Sequence, residues 1–221
     1  ISMWNDPRIV ALNSGVKLPE VPITIVYRAD RSGTTNVFTD YLSKISPEWR
    51  NKVGAGMSVP WPMGLGIKGG DSALGVLKGI QGGIGYTDLA SAQRHRVGLV
   101  ALANAEGEFV RPSLSSAAAA ATSLGEISDF RGLPTNAPGK ESYPLVSFTY
   151  LLVAPDQVEV PRGRALLHFL WWAIHDGQQY TTSLGFVPLP RNIVTRLEPT
   201  LRNLTVQGRT IYLGGGEASA R

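Results

Sequence analysis

The chain has no cysteine among its 221 residues. That excludes disulfides, thiolate metal sites and a cysteine nucleophile, and it makes the fold indifferent to redox conditions. Histidine is nearly as scarce, with His95, His168 and His175 alone. His168 and His175 stand seven apart on a predicted helix, but no His-Glu-x-x-His pattern accompanies them. They are expected to be core or surface side chains, and neither a metal nor a cofactor is expected. Long apolar runs are also missing. The best, Leu166 to Ile174, is interrupted by His168 and falls well short of the roughly 20 apolar residues of a membrane span. Charge of one sign is not concentrated: 21 Lys and Arg against 17 Asp and Glu give +4, with the basic residues scattered. Nucleic acid is therefore not an expected partner, and ordinary salt screens so small an excess.

Catalytic patterns are absent as well. No serine lies in a Gly-x-Ser-x-Gly elbow, and no His/Asp pair is placed to activate one. The glycines at 64, 66, 69 and 70 are not followed by Lys-Ser or Lys-Thr at P-loop spacing, so they are read as a structural loop. An enzyme is not expected.

What is present is a strand, a polar turn and a helix in immediate succession. Ile23-Thr24-Ile25-Val26-Tyr27 is β-branched and aromatic, while Val37, Phe38, Tyr41, Leu42 and Ile45 fall at helical spacing. Between them lies Arg28-Ala29-Asp30-Arg31-Ser32-Gly33-Thr34-Thr35. A helix N-terminus offers unpaired N–H donors and a partial positive charge, here with hydroxyls and a glycine that admits a close approach. Arg28 adds a full charge. Residues two apart on an extended strand face the same side, which places Asp30 to orient the Arg28 guanidinium.

Along the chain, a short helix is expected around Arg8 to Leu12, a strand over Ile23 to Arg28 and a helix over Thr35 to Ser46. A Gly/Pro-rich loop then runs from Gly54 to Gly70. Asp71 is expected to cap a helix reaching Lys78, with a short strand after Gly82 and another over Val97 to Ala103. Asp88 is read as a turn or surface acid. Further helices are expected over Ser115 to Leu124, Arg162 to Asp176 and Arg191 to Thr200, and a flexible tail over residues 214–221. Alternation of strand and helix patterns makes the chain α/β.

Many of these segments resemble the phosphate-binding solute receptors of the high-affinity phosphate ABC importer. The resemblance runs through Trp4-Asn5-Asp6-Pro7, Gly15-Val16-Lys17-Leu18-Pro19, and Arg28-Ala29-Asp30 with Ser32-Gly33-Thr34-Thr35. It continues in Pro47-Glu48-Trp49, Trp61-Pro62, Gly83-Ile84-Gly85-Tyr86, Tyr143-Pro144-Leu145 and Gly185-Phe186-Val187-Pro188-Leu189-Pro190. It implies a bilobal, type II-like periplasmic-binding-protein fold that clamps inorganic phosphate and delivers it to the importer's permease. By the same resemblance Arg28, Ser32, Gly33 and Thr34 contact phosphate and Asp30 pairs with Arg28.

Residues 1–142 would form lobe two, nearly complete, and 143–213 the C-terminal part of lobe one. The family's N-terminal segment, with a further serine and the aspartate that accepts the phosphate proton, is expected on another chain or fragment. Arg31 departs from the family's usual glycine and adds a second cation. The expected location is periplasmic or extracellular, with membrane association left open. A structural or interaction subunit that keeps the receptor scaffold around an incomplete site is the alternative.

Overall fold

The computed structural model describes residues 1–123 and 132–213, which fall into two compact units, Ile1–Ser147 and Phe148–Arg221. The expected tail, the end of the predicted helix at Leu124 and the start of the predicted loop at Arg131 lie outside the described residues.

The first unit opens with helix α1 (Pro7–Ala11), capped by Asp6, and strand β1 (Thr24–Arg28). Helix α2 (Gly33–Ile45) starts earlier than the apolar spacing predicts because Ser32 supplies its cap. Helix α3 (Pro47–Lys52) follows at once, capped by Ser46 and started by Pro47. Strand β2 (Leu65–Ile67) lies inside the stretch that the sequence marks as loop. Its glycine content hid it. A Cβ on Gly66 would sit 2.9 Å from the Tyr27 ring, so the strand pairs closely with β1 only where a side chain is missing.

Helix α4 (Gly70–Gly79) begins one residue before Asp71, so the expected Asp71 cap is not formed: the N-cap is Gly69, without a side-chain bond. Asp71 sits instead in the first turn, where its charge suits the helix dipole. Strand β3 (Gly83–Ile84) precedes α5 (Leu89–His95), a helix with too weak an apolar stripe to be read from sequence. Asp88 caps it, accepting the Ser91 N–H at 2.8 Å. Of the strand expected over Val97 to Ala103, only β4 (Leu102–Ala103) forms, paired antiparallel with β5 (Phe109–Val110). Leu99 and Val100 are exposed, with no partner strand to pack them. Helix α6 (Leu114–Ser123) completes the described elements of the first unit.

The order β2-β1-β3 is parallel throughout, with Val26 facing Leu65 and Ile25 facing Ile84. All three carboxyl ends therefore emerge on one side, where α2 and α4 begin. Farther along α2, Tyr41 is buried and donates its hydroxyl to the Ala103 carbonyl at 2.9 Å. Lys44 donates to the Thr135 carbonyl at 3.0 Å and pairs with Asp40. The buried Asn104 amide donates to the carbonyls of Gly139 and Lys140 and accepts the Glu106 and Glu108 N–H groups. Loops rich in Gly and Pro are thus fixed by satisfied polar groups rather than by apolar bulk.

The second unit has strands β6 (Asp156–Gln157), β7 (Thr205–Val206) and β8 (Arg209–Thr210), and helices α7 (Val160–Ile174) and α8 (Arg191–Arg202). Two 3₁₀ turns, Asp176–Tyr180 and Thr182–Leu184, link the helices. Leu167, Leu170, Leu201, Val206 and Leu213 form its core, with Leu166, Trp171 and Ile174 packed on it as the spacing predicts. Helix α7 lies very close to β6 and β7, since a Cβ on Gly163 would meet Gln157 at 2.7 Å and Val206 at 3.0 Å. The apolar stretch from Leu145 to Ala154 forms no regular strand.

Burial pushes the Tyr143 phenol up to about 12, with the neighbouring Tyr41 adding to the effect. A phenol of raised folded pKa contributes stability that is complete below the unfolded value near 10 and is lost as pH rises through the folded one. Alkaline unfolding followed by circular dichroism should therefore set in between these values, and Tyr143→Phe should move its onset to higher pH.

Candidate anion-binding site

The geometry of the 28–35 turn follows from its neighbours in sequence. β1 delivers Arg28 at its carboxyl end, and Asp30 two residues on meets it as a fork. Arg28 Nε donates to Asp30 Oδ1 at 2.7 Å, and Nη2 donates to Oδ2 at 2.5 Å. Asp30 Oδ1 also accepts the Gly69 N–H at 3.1 Å, which ties the turn before α4 into the same pair. The third guanidinium nitrogen, Nη1, faces Gly70, where an added Cβ would stand 3.4 Å away. The fork and the Gly69 N–H hold the Asp30 carboxyl well below the usual carboxylate range, and the same fork raises the Arg28 pKa.

Ser32 is buried, donates its N–H to the Met57 carbonyl at 2.9 Å and caps α2. Its Oγ accepts the Thr35 N–H at 3.4 Å, a long bond that leaves the hydroxyl proton available to a second acceptor. Gly33 is exposed with open space around it, and Thr34 is half-buried beside it. As first-turn residues of a 13-residue helix, Gly33 and Thr34 present N–H groups that no carbonyl of α2 can reach. Arg31 is exposed at the rim. The structure therefore brings Arg28, Asp30, Ser32, Gly33 and Thr34 together at the carboxyl edge of the sheet.

Three participants are not evident from the sequence pattern. Tyr86 reaches the site from beyond β3, where its hydroxyl accepts the Arg28 N–H at 3.0 Å and lies 2.7 Å from Thr35 Oγ1. Thr35, fully buried, belongs to the support of the site rather than to its open face. Gly69 acts through its backbone, which no residue-type pattern reveals. Behind them Tyr27, Trp61, Phe38 and Tyr86 form a series of stacked rings, with Tyr27–Trp61 and Phe38–Tyr86 centroids both at 5.0 Å.

Among the described residues no group of three or more metal-ligating side chains comes together. His175 contacts Glu198 at 3.2 Å in the second unit. A cavity of about 460 Å³, lined in part by Phe109, Arg111 and Lys140, and another of about 300 Å³, beside Arg164 and Arg209, both lie away from residues 28–35. The site is an open donor cluster, suited to an oxyanion: a guanidinium, a buried hydroxyl and helix N–H groups.

A parallel sheet with helices starting at its strand carboxyl ends defines an α/β lobe of the kind that binds ligands at that edge. The chain belongs to the PBP superfamily, whose domain matches residues 1–176. It is 41% identical over 200 residues to the phosphate-binding protein PstS of Xylella fastidiosa (strain 9a5c), covering 90% of this chain and 55% of that one. It is 35% identical to PstS of Methanocaldococcus jannaschii, over 87% of this chain and 55% of that one. The chain thus spans about half the length of these curated relatives. Among solved structures it is similar in fold to a DING protein (TM-score 0.65, 20% identity, 90% of this chain and 62% of that one). It is similar also to a high-affinity periplasmic phosphate-binding protein bound with phosphate (TM-score 0.65, 18% identity, 90% and 61%). The α/β periplasmic-binding-protein fold expected from the sequence is the fold of the chain.

Asp30→Asn removes the charge of the fork while keeping its shape. Because the folded carboxyl is held low, its contribution is present above the unfolded pKa of about 4 and is lost as pH falls through the folded value. Thermal melts should show wild type above the variant at neutral pH, with the gap closing in strong acid. A gap independent of pH would rule out the charged pair as its source.

Proposed function

We propose that the chain is a phosphate-binding solute receptor, or its larger part, that takes up inorganic phosphate for delivery to an ABC importer permease. It acts by reversible coordination, without chemistry on the ligand. The observation that carries this reading is the convergence of Arg28, Ser32, Gly33 and Thr34 at the start of α2, in a chain similar to proteins named for binding phosphate. Arg28 supplies charge, Ser32 and Thr34 supply hydroxyls, Gly33 and Thr34 supply N–H donors, and Asp30 holds the guanidinium in place. Unit Ile1–Ser147 corresponds in this reading to most of lobe two, and Phe148–Arg221 to part of lobe one. Its location is then periplasmic or extracellular; no helix among the described residues is long and apolar enough to cross a membrane.

The exposed side chains of the second unit support a polypeptide partner. Leu151 and Leu152 are 64% and 100% exposed, and Phe169, Trp172 and Tyr180 form a run of neighbouring rings on the outer side of that unit. We read these side chains as a contact surface for polypeptide of the kind that makes up the length of the relatives this chain does not match. It also favours the second reading, an interaction subunit on the receptor scaffold whose site is incomplete by itself.

Calorimetric titration with phosphate and with sulfate separates the two readings. Phosphate binding is expected, to be abolished by Arg28→Ala and retained by Arg31→Gly, since Arg31 is at the exposed rim. Absence of binding even in the presence of the completing polypeptide would overturn the receptor reading. For the partner surface, the section of the Xylella fastidiosa relative that this chain does not match is the probe. A one-to-one complex by light scattering, lost in a Phe169→Glu/Trp172→Glu variant, is expected; no complex with the unaltered chain would refute the assignment.

A further inference from the structure

We infer that Tyr86 is the positioning residue of the anion site, fixing the end of β1 to the first turn of α2 through one phenol oxygen. The inference rests on the reading of residues 28–35 as that site. None of the ligand roles assigned above uses this side chain.

The need for it arises from the sheet. β3 ends at Ile84, paired with Ile25, whereas β1 continues to Arg28. On that side of β1 the last rung has no backbone acceptor from the strand, and the Tyr86 hydroxyl takes the place, accepting the Arg28 N–H at 3.0 Å. The same oxygen stands 2.7 Å from Thr35 Oγ1, in the first turn of α2. One atom is therefore bonded both to the residue that carries the guanidinium and to the helix whose N–H groups point toward an anion.

The ring cannot easily leave this position. It stacks on Phe38, three residues after Thr35 on α2, at 5.0 Å and 16°. It also stacks on Trp61 at 5.8 Å and 17°, and Trp61 in turn stacks on Tyr27, the neighbour of Arg28. The stack spans the same two elements that the hydroxyl joins, so orientation of the phenol and separation of β1 from α2 are set together. An oxyanion bound by both guanidinium and helix N–H groups needs each donor within about 3 Å, and a shift of about 1 Å forfeits one set. Fixing that separation before the ligand arrives removes part of the ordering cost of binding.

Tyr86→Phe retains the ring and its stacking and removes the hydroxyl; Thr35→Val breaks the same bond from the other side. Each should raise the phosphate dissociation constant about tenfold, the scale of one or two lost hydrogen bonds. The double variant should lose no more than either single one, because both act through one oxygen. Amide exchange of the unliganded protein supplies a readout that general destabilisation would not give: the amides of Arg28 and Thr35 should exchange faster, with the rest unchanged. Wild-type affinity in Tyr86→Phe, additive losses in the double variant, or uniformly faster exchange would each overturn the inference. If the unaltered chain fails to bind phosphate even in the presence of the completing polypeptide, the receptor reading falls, and the exchange pattern alone decides the role of Tyr86.

Discussion

The Arg28–Asp30 fork is the contact on which the rest of the first unit's functional edge depends. It joins residues two apart in sequence, yet its consequences are not local, because Asp30 also accepts the Gly69 N–H at the turn into α4. The end of β1, the turn before α2 and the start of α4 are thus referred to one carboxylate. With parallel strands, these are the places where the β1–α2 and β2–α4 connections emerge side by side. A guanidinium left alone at this edge would be a long, flexible cation; the bidentate geometry converts it into a fixed donor whose remaining nitrogen faces the start of α4. Charge and position are supplied by the same pair.

Much of that edge was legible from the sequence, and what was not has identifiable causes. The order of β-branched strand, hydroxyl-rich turn and amphipathic helix is as the sequence reads, since each element leaves a local periodicity. Arg28 and Asp30 fall on one side of extended chain and meet as expected. Strand β2 was illegible because close packing under Tyr27 demands glycine, and a Gly-rich strand has the composition of a loop. Helix α5 was illegible because seven residues with two buried positions carry little apolar period. Tyr86 was quoted as part of a motif, but its reach to Arg28 and Thr35 spans 58 and 51 residues of sequence. Contacts of that separation are set by sheet register, which no window of sequence encodes.

The two units differ in how they are held. The first relies on few large apolar side chains: its buried set includes Val26, Tyr41 and Leu74 together with several alanines, and polar hubs such as Asn104 and Lys44 bind its loops. That construction suits a lobe whose working edge must be polar, because buried polar groups specify position where apolar contacts tolerate sliding. The second unit gathers a core of five buried aliphatic residues around α7 and α8 and leaves Phe169, Trp172 and Tyr180 exposed. A helix apolar on two sides belongs between two layers. For α7 one of those layers is the described core, and in the proposed reading a polypeptide partner supplies the other.

In the proposed reading, recognition at residues 28–35 is a matter of geometry more than of charge. Asp30 neutralises Arg28 at short range, and the chain's +4 is too dispersed to add a concentrated local field. An anion drawn here by long-range attraction alone would gain little and would be displaced by salt. What would discriminate is directed donors: a guanidinium whose orientation is fixed, a buried serine hydroxyl and the first-turn N–H groups of α2. Such donors reward an acceptor of the right size and oxygen arrangement and give little to a diffuse anion. Specificity built this way depends on the separation of β1 from α2, which is why a phenol bridging the two can matter as much as the residues that touch the ligand.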